Sequence, residues 1–233
     1  MLKYSHINDF TKGGGAKHLA FTLAEVIITL GVIGIVSALT IPNITTKFRE
    51  KEVVSKLKKV YTTLSQALQQ EIAEQGQTVD HWPLEYGDSK NGSAFLLEHY
   101  FKKHFTILND CKKPNTCIGS KKYKYLNGIE HIAYNEQNSY RHIILSDGTQ
   151  IVFHISQRFN QCNDIRNECA NIFIDTNGYF KGPNQFGKDF FVLDIKKDRL
   201  VPHGESKYCQ IYSWGLDGCT AWILEYENMD YLQ

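Results

Sequence analysis

An excess of charge of either sign is missing from this chain: 26 Lys and Arg stand against 25 Asp and Glu over 233 residues, a formal net charge of +1. That balance excludes the basic footprint of a nucleic-acid-binding domain. Catalytic and metal motifs are missing as well. There is no H-E-x-x-H, no G-x-S-x-G and no phosphate-cradling glycine loop ahead of a helix. The nine histidines are scattered, and His99 and His104, five positions apart, do not share a helix face well enough to chelate. No cysteine pair is as tight as C-x-x-C, which argues against a zinc site. The chain is therefore not expected to be an enzyme or to bind nucleic acid.

Cysteine is absent from the first 110 residues, and charge is absent from one long stretch. From Val26 to Ile41 no charged residue occurs for sixteen positions, within the segment LAFTLAEVIITLGVIGIVSALTIP from Leu19 to Pro42. A helix over Phe21 to Ile41 is about 30 Å long, the thickness of a bilayer's hydrocarbon core. Glu25 sits at the front edge of this run. A carboxylate there either lies at the headgroup level or has a partner and a task.

All six cysteines lie beyond the apolar segment: Cys111, Cys117, Cys162, Cys169, Cys209 and Cys219. An even number on one side of a span implies disulfides in an oxidising compartment. About 15 pairings are possible for six cysteines. Sequence neighbours are the expected partners, because short loops cost least to close.

Residues 1–20 are polar and carry Lys3, Lys12 and Lys17 against Asp9; without them the remainder is near −1. They are expected to be a removable cytoplasmic leader. Basic residues counted on either side of the span, including Lys47, Arg49, Lys51 and Lys56 beyond it, favour the opposite orientation; the cysteines, together with the resemblance described below, outweigh that count. Val36-Ser37-Ala38 also offers the small residues a general signal peptidase accepts, which leaves open a secretory signal cleaved after Ala38.

Beyond Pro42 the helix is expected to resume as an amphipathic stem over 43–76. Val53, Leu57, Val60, Tyr61, Leu64, Leu68 and Ile72 recur every three or four residues, and Gly76 ends the run. The whole helix, Phe21 to Gln75, would be about 80 Å long and bent at Pro42. The head, 77–233, begins in a loop with His81, Trp82 and Pro83. A short helix from Ala94 to Phe105 follows, capped by Ser93, with Phe95, Leu96, Tyr100 and Phe105 inward. From Tyr123 the pattern turns to strands: Arg141 to Leu145 and Gln150 to Ile155 flank an Asp147-Gly148 hairpin signal, and Asn171 to Ile174 and Asp189 to Ile195 follow. Near the C-terminus Ala221, Trp222 and Leu224 are candidate core residues. The expected fold class is α+β: a long bent N-terminal helix, membrane half plus stem, packed on a small antiparallel sheet with disulfides.

One further loop stands out, Asp175-Thr176-Asn177-Gly178, running through Gly182-Pro183-Asn184 to Gly187-Lys188-Asp189-Phe190. Asp175 and Asn177 can bond local amides, and with Asp189 they could also offer oxygens to Ca²⁺. The loop lacks the dense carboxylates of an EF-hand.

Phe21-Thr22-Leu23-Ala24-Glu25, with a basic polar leader before it and an unbroken apolar run ending at Pro42, resembles the N-terminal signature of type IV pilins and type II secretion pseudopilins. The D-x-N-G, G-P-N and G-x-D-F elements resemble a C-terminal feature of bacterial pseudopilin-like proteins. The resemblance implies cleavage at Ala20–Phe21 by a prepilin peptidase, N-methylation of Phe21, and Glu25 and Pro42 as the assembly glutamate and helix-bending proline. It further implies a single-pass protein of the bacterial inner membrane, with its head periplasmic or extracytoplasmic. Other pilin or pseudopilin subunits and the inner-membrane assembly machinery would be its partners, in a pseudopilus or type IV pilus. Ala20 departs from the family's glycine before the cut. The alternative is a signal-anchored or secreted disulfide-rich binding protein that does not polymerise.

Overall fold

The apolar run and the amphipathic stripe form one unbroken helix, α1, Leu23–Gln75, which passes through Pro42. The computed structural model of the chain describes residues 21–85, 92–111, 117, 122–131, 140–155, 162, 168–210 and 215–232. The expected leader, with Ala20, lies outside them. Gly76, at φ +64°, ends the helix in a conformation that a residue with a Cβ adopts only with strain.

The chain divides into two compact units, Met1–Thr46 and Lys47–Gln233. The second half of α1 thus belongs with the head, as expected of a stem packed on the sheet. The reason is its stripe: Leu57, Leu64 and Leu68 are fully buried, and Val54, Val60 and Ala67 nearly so, in one cluster with the head's strands. Gln69 fastens the same face by donating to the carbonyl of Asp198 at 2.7 Å.

After a 3₁₀ turn at Val79–His81, a helical passage runs through α2, Ser93–Leu96, a π turn, Leu97–Phe101, and a 3₁₀ turn, Lys102–His104. The expected cap at Ser93 is overturned. Ser93 is the first helical residue, and its hydroxyl accepts from the amide of Ile155. The π turn also changes which side chains point inward: Leu96, Leu97 and Phe101 are fully buried, while Phe95 is only partly so.

Six antiparallel strands then follow in chain order: β1 Ile107–Cys111, β2 Tyr140–Leu145, β3 Gln150–His154, β4 Glu168–Asp175, β5 Phe190–Lys196 and β6 Leu200–Pro202. The Asp147-Gly148 signal turns β2 into β3, with Leu145 and Thr149 paired across it. β1 and β6 were not anticipated. β1 reads Ile-Leu-Asn-Asp-Cys, without apolar alternation, and its Leu108 faces outward.

Alternation along the strands sorts side chains onto two faces. Ile143, Ile151, Phe153, Ile172, Leu193 and Ile195 meet the α1 stripe. Val152, Phe173, Phe190 and Val192 point the other way into a second core with Tyr123, Tyr179 and Phe186. Residues 122–131 cover that face, held by Gln185, whose side-chain amide donates to the carbonyls of Tyr125 and Leu126. The C-terminal run is a helix, α3, Cys219–Tyr226, with Ile223 fully buried and Trp222 and Leu224 packed at the core's margin. Disulfides join Cys111 to Cys117, Cys162 to Cys169 and Cys209 to Cys219, the neighbour pairing that loop entropy favours.

Leu64→Ala removes a fully buried side chain from the seam between α1 and the sheet. It is expected to destabilise the second unit by about 2–5 kcal/mol, read from denaturant unfolding of the full chain.

Candidate functional site

The first half of α1 is apolar on every face, and none of its apolar stretch is buried. Phe21 is 85% exposed and Leu39 70%. It is long and apolar enough to cross a membrane. A helix that is hydrophobic all round has no solvated side, so its surroundings must be apolar all round. Two of its threonine hydroxyls bond within the helix: Thr29 donates to the carbonyls of Glu25 and Val26, and Thr40 to that of Val36. Beyond Pro42, Thr45 and Thr46 both donate to the Pro42 carbonyl.

Glu25 has a local partner, Thr22. One of its carboxylate oxygens accepts from the amide of Thr22 at 2.8 Å and from the Thr22 hydroxyl at 2.7 Å, while the Glu25 amide donates to that hydroxyl at 3.2 Å. This is a capping box, and its T-x-x-E signature lies in plain sight at Thr22 to Glu25. The carboxylate therefore satisfies the open end of the helix and keeps its second oxygen for another donor.

In the loop from Asp175 to Phe190 the structure brings Asp175, Asn177 and Asp189 together. One oxygen of Asp175 accepts from the amides of Gly178 and Asn177, the other from the hydroxyl of Tyr123. Asp189 accepts from the amides of Gln185, at 2.7 Å, and Asn184, at 2.8 Å, and from the side chain of Asn177. These are the local turn bonds expected of Asp and Asn. A Cβ on Gly178, which has φ +81°, would stand 2.7 Å from the Gly148 carbonyl, so this loop abuts the β2–β3 turn by virtue of its glycine. The side-chain oxygens of Asn177 and Asn184 are buried and receive no donor among the described residues. Burial, and after it the charge of Asp189, pushes Asp175 up to about 8; burial likewise raises Asp189.

A second polar group, unforeseen in sequence, gathers at the β5–β6 end of the sheet. Atoms of Glu168, Asp194 and His203 lie within 4.8 Å of one another. The cation among them is the chain's own: Lys196 stands 3.1 Å from Glu168 and 3.9 Å from Asp194. Asn171 donates to Asp194 at 2.8 Å. The group is thus an ion-pair network built around Lys196. His99 and His104 do not meet: His99 stacks on Phe95, and His104 pairs with the buried Glu71 of α1 at 2.7 Å.

A carboxyl whose folded pKa is raised contributes stability that is full below its unfolded value, near 4, and is lost as pH rises through the folded value. With chelator present, the thermal midpoint of the full chain is expected to fall as pH rises from about 4 to about 8 and to level off above that. Asp175→Asn, an isostere of the protonated form, is expected to flatten that fall.

No protein-family model, no curated protein and no solved structure matches this chain.

Proposed function

We propose that this chain is a prepilin-like structural subunit. It is cleaved between Ala20 and Phe21 by a prepilin peptidase and N-methylated on Phe21. The apolar half of α1 is then held in the bacterial inner membrane, with the disulfide-bonded head on the periplasmic side. Inner-membrane machinery draws subunits from that store into a filament, a type II secretion pseudopilus or a type IV pilus, in which the same helices pack on one another. Its action is mechanical, and no turnover is assigned to the head.

The observation that carries this proposal is the pairing of an unburied helix, apolar all round, with a carboxylate at its first turn. In a plain anchor Glu25 would serve only to cap the helix. A subunit whose cleavage creates an α-ammonium at Phe21 gains more, because a neighbour's carboxylate neutralises that charge in an apolar setting. The capping box refines the idea. Thr22 holds one oxygen of Glu25 in place, so the other is pre-positioned at the helix end where a neighbour's amino group arrives.

Calcium is the finer proposal for Asp175, Asn177 and Asp189. The unmet amide oxygens beside the carboxylate pair support it, and a thermal midpoint unchanged by millimolar calcium would remove it.

Sequencing the mature amino terminus tests the processing step. N-methylated Phe21 is the expected result, whereas Leu39 would establish secretion and Met1 an uncleaved anchor. For assembly, Glu25→Gln keeps a capping box and loses the charge. It is expected to leave cleavage intact and abolish filaments seen by electron microscopy, as is Glu25→Ala; abundant filaments from Glu25→Gln would sink the charge-pairing step.

A further inference from the structure

His203 follows β6 directly and stands between two carboxylates that belong to different parts of the fold. Its Nδ1 lies 2.8 Å from Asp194 on β5, and its Nε2 lies 3.0 Å from Asp217, in the segment that leads into α3. Ionised carboxylates only accept, and a neutral imidazole has a single N–H. Both contacts are hydrogen bonds only when the ring is an imidazolium.

The two carboxylates are not equivalent. Asp194 is 4% exposed and also accepts from Asn171, with Lys196 3.9 Å away; Asp217 is 58% exposed. A ring with one proton keeps it toward the buried acid, because an unpaired buried carboxylate is far more costly than a solvated one. Asp217 then faces a lone pair at 3.0 Å and turns to water.

We propose that His203 is a protonation-dependent latch, holding the segment Gly215–Gly218, and with it the start of α3, against the β5–β6 edge of the sheet. The segment is well placed to transmit the change. The amide of Gly218 donates to the His203 carbonyl, and Gly218 is followed at once by Cys219 and Thr220. The Thr220 hydroxyl accepts from the amide of Val192 on β5, so α3 docks where the latch acts.

The groups facing the ring are Asp194 and Lys196 on β5, Glu168 and Asn171 on β4, and Asp217 ahead of α3. Burial pulls the imidazole down, but the hydrogen bond and charge of Asp194, aided by Asp217 and Glu168, outweigh it and hold the ring above the usual histidine range. The latch is accordingly closed below about pH 6.5 and opens as pH rises through the elevated value.

Hydrogen exchange of the full chain in detergent micelles, corrected for intrinsic rates, tests this at residues 215–222. Protection there is expected to fall about threefold between pH 6 and pH 9, as befits a contact with a largely exposed acid. In His203→Gln protection should be low at both pH values, and in Asp217→Asn its pH dependence should vanish. Asp217 is on the surface, so that variant decides the matter even if His203→Gln misfolds. Wild-type protection that ignores pH, or a pH dependence that survives in Asp217→Asn, would overturn the latch.

Discussion

The hydrophobic seam between α1 and the sheet is the contact on which the rest of the head depends. Leu57, Val60, Leu64 and Leu68 present one face of the helix, and Ile143, Ile151, Ile172 and Leu193 present one face of the strands. Each such side chain contributes about 1.5–3 kcal/mol by leaving water. Without the helix, that face of the sheet would be an open apolar surface. The opposite face needs its own cover, and residues 122–131 and the loop from Asp175 to Phe190 supply it through Tyr123, Tyr179 and Phe186. A sheet buried on both sides explains why β4 is buried along its whole length.

Burial on that scale leaves little room for unpaired charge, and the polar groups inside are disposed accordingly. Arg141 lies between Glu98 and Asp110, with Lys102 bridging the same two acids. Glu71, inside the seam, is met by His104 and Lys103. Asp175 and Asp189 are each surrounded by amide and hydroxyl donors. Such groups add little net stability, but each is costly to strand alone, so they fix which elements may pack together. His203 is a histidine set between two carboxylates, one buried and one exposed, the arrangement on which the proposed latch rests.

The first half of α1 obeys a different rule. It is apolar on every side and shows no buried side chain among its described residues. Glu25 stands at its start, and the Thr22 capping box gives that carboxylate a fixed orientation. Under the proposed function this end of the helix is an assembly element, while the disulfide-bonded head keeps its own core.

Local rules settled much of this in the sequence. The uncharged run after Glu25 is long enough to span, and the three-and-four spacing of the stem residues fixed which face would be buried. Asp147-Gly148 set a hairpin, and each cysteine found its near neighbour. These are properties of short stretches, governed by backbone periodicity, turn geometry and loop entropy. Tertiary structure decided the rest. β1 and β6 are strands because β2 and β5 offer them edges, not because Ile107–Cys111 or Leu200–Pro202 alternate. Ser93 became an acceptor for Ile155 because folding brought that amide to it. Glu168, Asp194, His203 and Asp217, far apart along the chain, became one network only when register across β4, β5 and β6 set them side by side. A sequence pattern records the geometry of neighbours along the chain; contact between distant residues is fixed by how the sheet closes.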